Sequence, residues 1–261
     1  MIKTTIKLGG LTVSRLMVGG NPISGFSHQS GDRDNEMMNY FTVENIKRLL
    51  RECESHGIDT AVLRTDNFIM RVLREYWNEG GKIQWIAQSA DDDSKKSIDI
   101  AVNNGAKAVY IHGGIADRMF KDGKADEFHS IVEHGKMKGV PIGIAAHDPA
   151  YHLELRKMNV ANDFHVVSMY NLHGYKSNTR DDTDEAFVDA DRAASLYAAR
   201  SIELPCILYK ILGAGRKTMD EALQDIAPAI KPIDGVNVGM FVKDDPDMVR
   251  RNAEAVFGLA Q

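Results

Sequence analysis

Pro141-Ile142-Gly143-Ile144-Ala145-Ala146-His147-Asp148-Pro149 is the stretch on which the fold turns. Ile142–Ala145 is an apolar run short enough for a buried strand, and a polar His147 follows it directly. Pro149 then opens an amphipathic stretch, Ala150–Met158, because its fixed φ suits the first turn of a helix. Strand, polar end and helix together make one β/α unit. Reading outward, the same rhythm recurs on both sides. Strands are expected at Leu16–Gly19, Thr60–Leu63, Gln84–Ala87, Ala108–Ile111, Val166–Met169, Ile207–Tyr209 and Val236–Gly239, which with Ile142–Ala145 makes eight. The interleaved helices have readable starts and stops. Thr42 opens 43–56, with Ile46, Leu49, Leu50 and Cys53 at helical spacing. Asp93-Ser94 opens 95–104, which stops at Gly105, and Asp245-Pro246 opens a last helix through Phe257.

Eight parallel strands suit either a doubly wound sheet or a barrel. A dinucleotide-binding sheet needs a glycine turn whose amides face a phosphate. Here the turn after the first strand is Gly19-Gly20-Asn21-Pro22, and Pro22 removes one of those amides. The reading is therefore an α/β protein with a (β/α)8 TIM barrel. An N-terminal β-hairpin, Ile6–Val13, folds around Gly9-Gly10 and would plug the barrel bottom. No linker or composition shift interrupts the chain, so residues 1–261 are read as one domain.

Composition narrows the function classes. The chain is 43% hydrophobic and 26% charged, with a net charge of -5 and basic residues only in scattered pairs. That balance gives no basic surface for nucleic acid or an anionic membrane. No window approaches the roughly 20 apolar residues of a membrane span. Cys53 lies on an amphipathic helix and Cys206 in an apolar strand, so both read as small core residues. The expectation is a soluble cytoplasmic protein with a small-molecule substrate, as a monomer or homo-oligomer.

In a barrel of this kind function gathers at the C-terminal ends of the strands. Those ends carry Asn21, then Arg64 with Asp66, Gln88 with Ser89, His112, His147, Asn171 with His173, Lys210, and Phe241 with Lys243. Polar groups immediately beyond apolar runs, repeated from strand to strand, mark an active-site mouth. Two long insertions, 28–39 and 175–185, are read as lids over that mouth or as oligomer contacts. Asp91-Asp92-Asp93 reads chiefly as a helix cap.

Short matches fall in order along the whole chain. Leu8-Gly9-Gly10 through Gly19-Gly20, Gly57-Ile58-Asp59-Thr60-Ala61, Val109–His112, Pro141–Pro149, Val167–His173, Leu208–Gly215 and Val238–Met240 with Asn252 resemble successive segments of the aldo-keto reductases. The resemblance implies the same barrel and an NADP cofactor. Tyr209 would stack on the nicotinamide, Gly213, Gly215 and Arg216 would serve the pyrophosphate, and Asn252 would meet the adenine. It also assigns Asp59 and His112 to the catalytic set; of the other strand-end groups, Arg64, His147 and Lys210 are read as catalytic and Asn21, Gln88 and Asn171 as facing substrate. The chain departs from the family at the proton donor, where Arg64 stands in place of tyrosine, and at the lysine position, which holds Gln88 or Ser89. Ala145-Ala146 and Ser168 replace the groups that hold the carboxamide. A guanidinium cannot act as a general acid near neutrality.

Three readings follow. The first is a divergent reductase-like enzyme on a small hydroxylated carbonyl compound, with the usual hydride mechanism in question. In the second, His112, His147 and His173 share a divalent metal with Asp148 or Asp66, or Lys210 forms a Schiff base, giving a lyase, isomerase or hydrolase. The third is a binding barrel without catalysis.

Overall fold

The computed structural model describes residues 4–172 and 187–259. A two-stranded antiparallel hairpin, β1 (Thr5–Leu8) and β2 (Leu11–Ser14), precedes a closed barrel of parallel strands. In chain order the barrel strands are β3 (Leu16–Gly19), β4 (Thr60–Arg64), β5 (Gln84–Gln88), β6 (Ala108–Ile111), β7 (Ile142–Ala146), β8 (Phe164–Ser168), β9 (Cys206–Tyr209) and β10 (Gly235–Gly239), and β10 pairs with β3 to close the ring. The helices between them are α1 (Gly31–Tyr40), α2 (Val43–Ser55), α3 (Asn67–Asn78), α4 (Ser94–Asn103), α5 (Gly113–Lys121), α6 (Glu127–Met137), α7 (Pro149–Lys157), α8 (Asp189–Ser201) and α9 (Met219–Ile226), and α10 (Met248–Phe257) ends the chain's secondary structure. This is the (β/α)8 fold with the N-terminal hairpin that the sequence implies.

Alternation along each strand builds two cores. Outward residues such as Val18, Leu63, Trp85, Ile144 and Leu208 pack under the helices, while inward ones such as Met17, Val62, Ile86, Tyr110 and Phe164 fill the barrel. Both faces are covered, which explains why the strands read as continuous apolar runs. Gly143 shows how tightly the interior fits, since a Cβ there would stand 2.3 Å from the Phe164 ring. Ile6, Leu8 and Val13 of the hairpin join this inner cluster from below. They close the bottom and leave the mouth at the strands' C-terminal ends.

Helix starts follow local chemistry. Thr42, Asp66, Asp93, Asp148 and Thr218 each accept a hydrogen bond from a first-turn amide, and Thr218 with Glu221 completes a capping box. Gly105 follows α4 at φ +99°, the left-handed geometry that glycine adopts without strain. The insertion after β3 is a helix, where the sequence suggested a loop. Ser30 caps α1, and the buried Asp34 accepts from both the amide and the hydroxyl of Ser27. Met37 and Phe41 are buried beneath it. Its exposed face is so polar that no apolar period shows in the sequence, and caps and docking hold it instead. The second insertion, 175–185, lies outside the described residues. Both cysteines are buried and free. Among the described residues no helix is long and apolar enough to cross a membrane.

Candidate active site

Two concavities stand out. The larger, about 550 Å³, is a groove between α4, α5 and α6, lined by Asp92, Arg118, Asp122 and Glu127 among others. The smaller, about 210 Å³, opens at the barrel mouth, where the polar strand ends converge. Its floor and walls include Gly19, Asn21, Val62, Arg64, Gln88, Tyr110, Tyr209, Lys210, Asn237 and Asp244, from the ends of β9, β10, β3, β4, β5 and β6. Its volume lies below the roughly 300–1,000 Å³ of pockets that take drug-sized ligands, so it suits a compound of a few carbons.

The other half of the mouth is closed by His112 and His147 at the ends of β6 and β7, with ring centroids 6.5 Å apart. Asp117, fully buried on α5, accepts from the His147 backbone amide at 3.1 Å and meets His147 Nδ1 at 2.7 Å. A carboxylate only accepts, so Nδ1 carries the proton that faces Asp117. Tyr209 is shared between the two halves. It lines the cavity, and its ring centroid is 6.4 Å from that of His147. The space between them is kept open by Gly113, where a Cβ would lie 3.1 Å from His147 Cε1 and 3.5 Å from Tyr209 Oη.

Burial sets the protonation states. His112 is pushed down to about 3, first by burial and then by neighbouring groups that include the Arg64 and Lys210 cations, so its imidazole is neutral. Its backbone amide donates to Ser89 Oγ. Burial likewise drives the Tyr110 and Tyr209 phenols upward, leaving them protonated as hydrogen-bond donors. Lys210 adopts a left-handed backbone at φ +59°, uncommon for a residue with a side chain, and its ammonium lies 5.7 Å from the Tyr209 ring centroid.

Arg64, Gln88, Asn21, Tyr209, Lys210 and Gly215 therefore meet at one cavity, with His112 and His147 beside it. Others fall elsewhere. Asp59 precedes β4 and lies at the barrel bottom, where its carboxylate accepts from the Ser14 amide and the Thr60 hydroxyl. At about 3.3 Å per residue, the strand separates it from Arg64 by roughly 16 Å. The shortened Gly-Ile-Asp-Thr-Ala pattern thus puts the aspartate at the wrong end of its strand. The Asn171 backbone N–H donates to Asp191 Oδ2, and Asn171 is not part of the cavity lining. Asp66 and Asp148, offered as metal ligands, cap α3 and α7. His173 lies outside the described residues. Among the described residues no group of three or more His, Cys, Asp or Glu stands together as a metal site.

The groups assigned to a dinucleotide do not fit one. The amides of Gly213, Gly215, Arg216 and Lys217 all donate to carbonyls within their own turn. The Ala214 carbonyl accepts from Gln29, and the Arg216 guanidinium donates to the carbonyls of His28 and Gly213. Ala145 and Ala146 offer no side-chain donor, and the Ser168 hydroxyl donates to the Tyr170 carbonyl. Asn252 Nδ2 is buried without a partner, but on α10 and not in the cavity lining. One orphan does not outweigh a phosphate loop whose amides are already engaged.

Sequence reading missed Asp117, Tyr110 and Asn237. Asp117 had a signal, since it falls among the buried positions Gly113, Ile115, Ala116 and Met119 of α5, where an acid needs a partner.

No protein-family signature matches the chain, and no curated protein matches it. Solved structures do. A Pseudomonas aeruginosa protein named for the aldo-keto reductases aligns with a TM-score of 0.64 at 14% identity, over 100% of this chain and 96% of that one. The holo form of a Bacillus halodurans aldo-keto reductase gives 0.60 at 12%, over 97% and 90%. Orotidine 5'-monophosphate decarboxylase from Methanocaldococcus jannaschii gives 0.56 at 13%, over 94% and 99%. At such identities the likeness is one of fold, and it joins aldo-keto reductases with other barrel enzymes.

Proposed function

We propose that this chain is an enzyme that transfers protons on a small hydroxylated carbonyl compound, of the sugar or polyol kind, with His147 as general base. The observation that carries this is the buried Asp117 held 2.7 Å from His147 Nδ1, which orients a ring standing beside the cavity with its centroid 6.4 Å from that of Tyr209. In the step, His147 Nε2 takes a proton from the carbon beside the carbonyl. The C–H electron pair moves into a new C=C bond, and the carbonyl π pair moves onto oxygen as an enolate. Tyr209, kept protonated by burial, donates a hydrogen bond to that oxygen. Return of the proton to the same carbon gives exchange; its return to the former carbonyl carbon, with the neighbouring hydroxyl proton passing to the enolate oxygen, gives isomerisation, and both are redox-neutral overall.

This departs from the family's usual hydride transfer. The site supports that departure, because the groups expected to hold NADP are engaged within the protein. Lys210 acts in this reading as a cation beside the enolate and not as a Schiff-base amine. Borohydride added with dihydroxyacetone should then leave Lys210 unmodified.

The test is proton NMR in D2O with dihydroxyacetone and hydroxypyruvate. Exchange of their hydroxymethyl protons should exceed the buffer rate and fall about 10²–10⁴-fold in His147→Gln. Absence of exchange with both compounds, or a His147→Gln protein as fast as the wild type, would defeat the reading.

A further inference from the structure

The cavity wall holds two arginines in opposite situations. Arg33 is held between two carboxylates, its NH1 and NH2 donating to Glu36 and Asp244 while Nε is buried without a partner. Arg64, at the end of β4, has no such engagement. Its nearest acid is Asp66, whose Oδ2 stands 3.7 Å from Nε, beyond hydrogen-bond reach, while the other Asp66 oxygen caps α3. Among the described residues no side chain hydrogen-bonds the Arg64 guanidinium, which lies over the Phe26 ring at 5.6 Å and lines the cavity half-buried. Its field is felt by both Tyr110 and His112, so it belongs to the same electrostatic site. A half-buried guanidinium with its planar fork unspent is matched by a planar anion.

The anion is not a phosphate. Barrels of this fold commonly bind phosphate with the loops after the seventh and eighth strands. Here the loop after β9 has its amides of 213 and 215–217 turned onto its own carbonyls. The loop after β10 spends its charged groups within the protein as well, Asp244 on Arg33 and Lys243 on Glu36. The cavity of about 210 Å³ also favours the smaller group.

We infer that the substrate bears a carboxylate beside its hydroxylated carbonyl, and that Arg64 binds it. This rests on the proposed proton-transfer reading and narrows its substrate class to small hydroxy-keto acids.

A matched series tests it, because hydroxypyruvate, dihydroxyacetone and dihydroxyacetone phosphate share one hydroxyacetyl unit. Binding is measured by calorimetry on His147→Gln protein, which keeps the cavity but removes the base, and exchange is measured on wild type. Hydroxypyruvate should bind at least tenfold more tightly than the other two. Arg64→Met should abolish that preference, bringing hydroxypyruvate within about threefold of dihydroxyacetone, and Arg64→Lys should keep part of it. A melting temperature within a few degrees of wild type shows that each variant is folded. Tighter binding of the phosphate, equal binding of all three, no binding of hydroxypyruvate, or a preference that survives Arg64→Met overturns the inference. Exchange on dihydroxyacetone without hydroxypyruvate preference defeats the carboxylate assignment alone. Arg64-dependent binding without exchange defeats the proton-transfer reading alone.

Discussion

Replacing Asp117 by asparagine tests the site at its most specific point. Asp117 is fully buried and takes two hydrogen bonds from His147, one from the backbone amide at 3.1 Å and one from Nδ1 at 2.7 Å. Asparagine has nearly the same shape, and its oxygen can still accept from the backbone amide. Its NH2, however, then faces the Nδ1 proton, donor against donor. The imidazole must turn or move its proton to Nε2, and either change takes Nε2 out of the proposed step. Exchange should fall by about 10²–10⁴-fold, the range a positioned general base supplies. Stability should change far less. Losing a hydrogen bond to a charged group costs about 1.5–3 kcal/mol, and removing a buried charge returns part of that. At about 2–4 °C per kcal/mol for a domain of this size, the melting temperature should drop by about 3–10 °C and leave the protein folded at 25 °C. The paired assays are exchange of hydroxypyruvate protons in D2O and thermal denaturation followed by circular dichroism. A folded Asp117→Asn protein that exchanges within threefold of wild type would refute the argument that Asp117 sets the tautomer.

Three other outcomes are expected. His152 of α7 and His165 of β8 are fully buried with their Nδ1 atoms 3.0 Å apart, and burial pushes His152 down to about 4 and His165 also well below its ordinary value. A depressed histidine contributes stability that is present above its unfolded pKa of about 6.5 and is lost as pH falls toward 4. The melting temperature should therefore fall over that window, and His165→Leu should flatten the slope; an unchanged slope counts against the pair. Gly143→Ala would drive a Cβ to 2.3 Å from the Phe164 ring, so overpacking should cost about 1–3 kcal/mol, read as a lower denaturation midpoint in urea, and an unshifted midpoint would mean the barrel interior is looser than described. Titration with NADPH should show no saturable fluorescence change at micromolar concentrations, because the amides of 213 and 215–217 are engaged; saturable micromolar binding would return the hydride reading to first place.

Much of the fold was legible because both faces of each barrel strand are covered, so residues such as Ile142, Ile144 and Val167 write their burial directly into the sequence as apolar runs. Caps such as Thr42 and Asp93 were equally plain, because a side chain bonding an amide two or three residues on is a local event. Helix α1 was not legible, since the contacts that hold it, Asp34 on Ser27 and Met37 in the core, are made across a turn by an otherwise polar segment. Asp59 was misplaced for a related reason. A family pattern shortened by a few residues keeps its letters but moves a side chain from one end of a strand to the other, and the hydrogen bonds of Asp59 to Ser14 and Thr60 fix it at the bottom.

The sequence by itself determined the eight barrel strands, four of the helices between and after them, and the set of polar groups at the strand ends, because these depend on periodicity and on neighbours within a few residues. Which of those groups share a cavity was decided by the tertiary structure. His147 and Asp117 are 30 residues apart and become partners only when α5 packs on β7. Arg64 is distinguished from Arg33 only by which carboxylates the closed barrel brings to each. The amides of the 213–217 loop look available in the sequence and are spent in the fold. Hydrogen bonding is settled by geometry over a few ångströms, and chain order alone does not carry it.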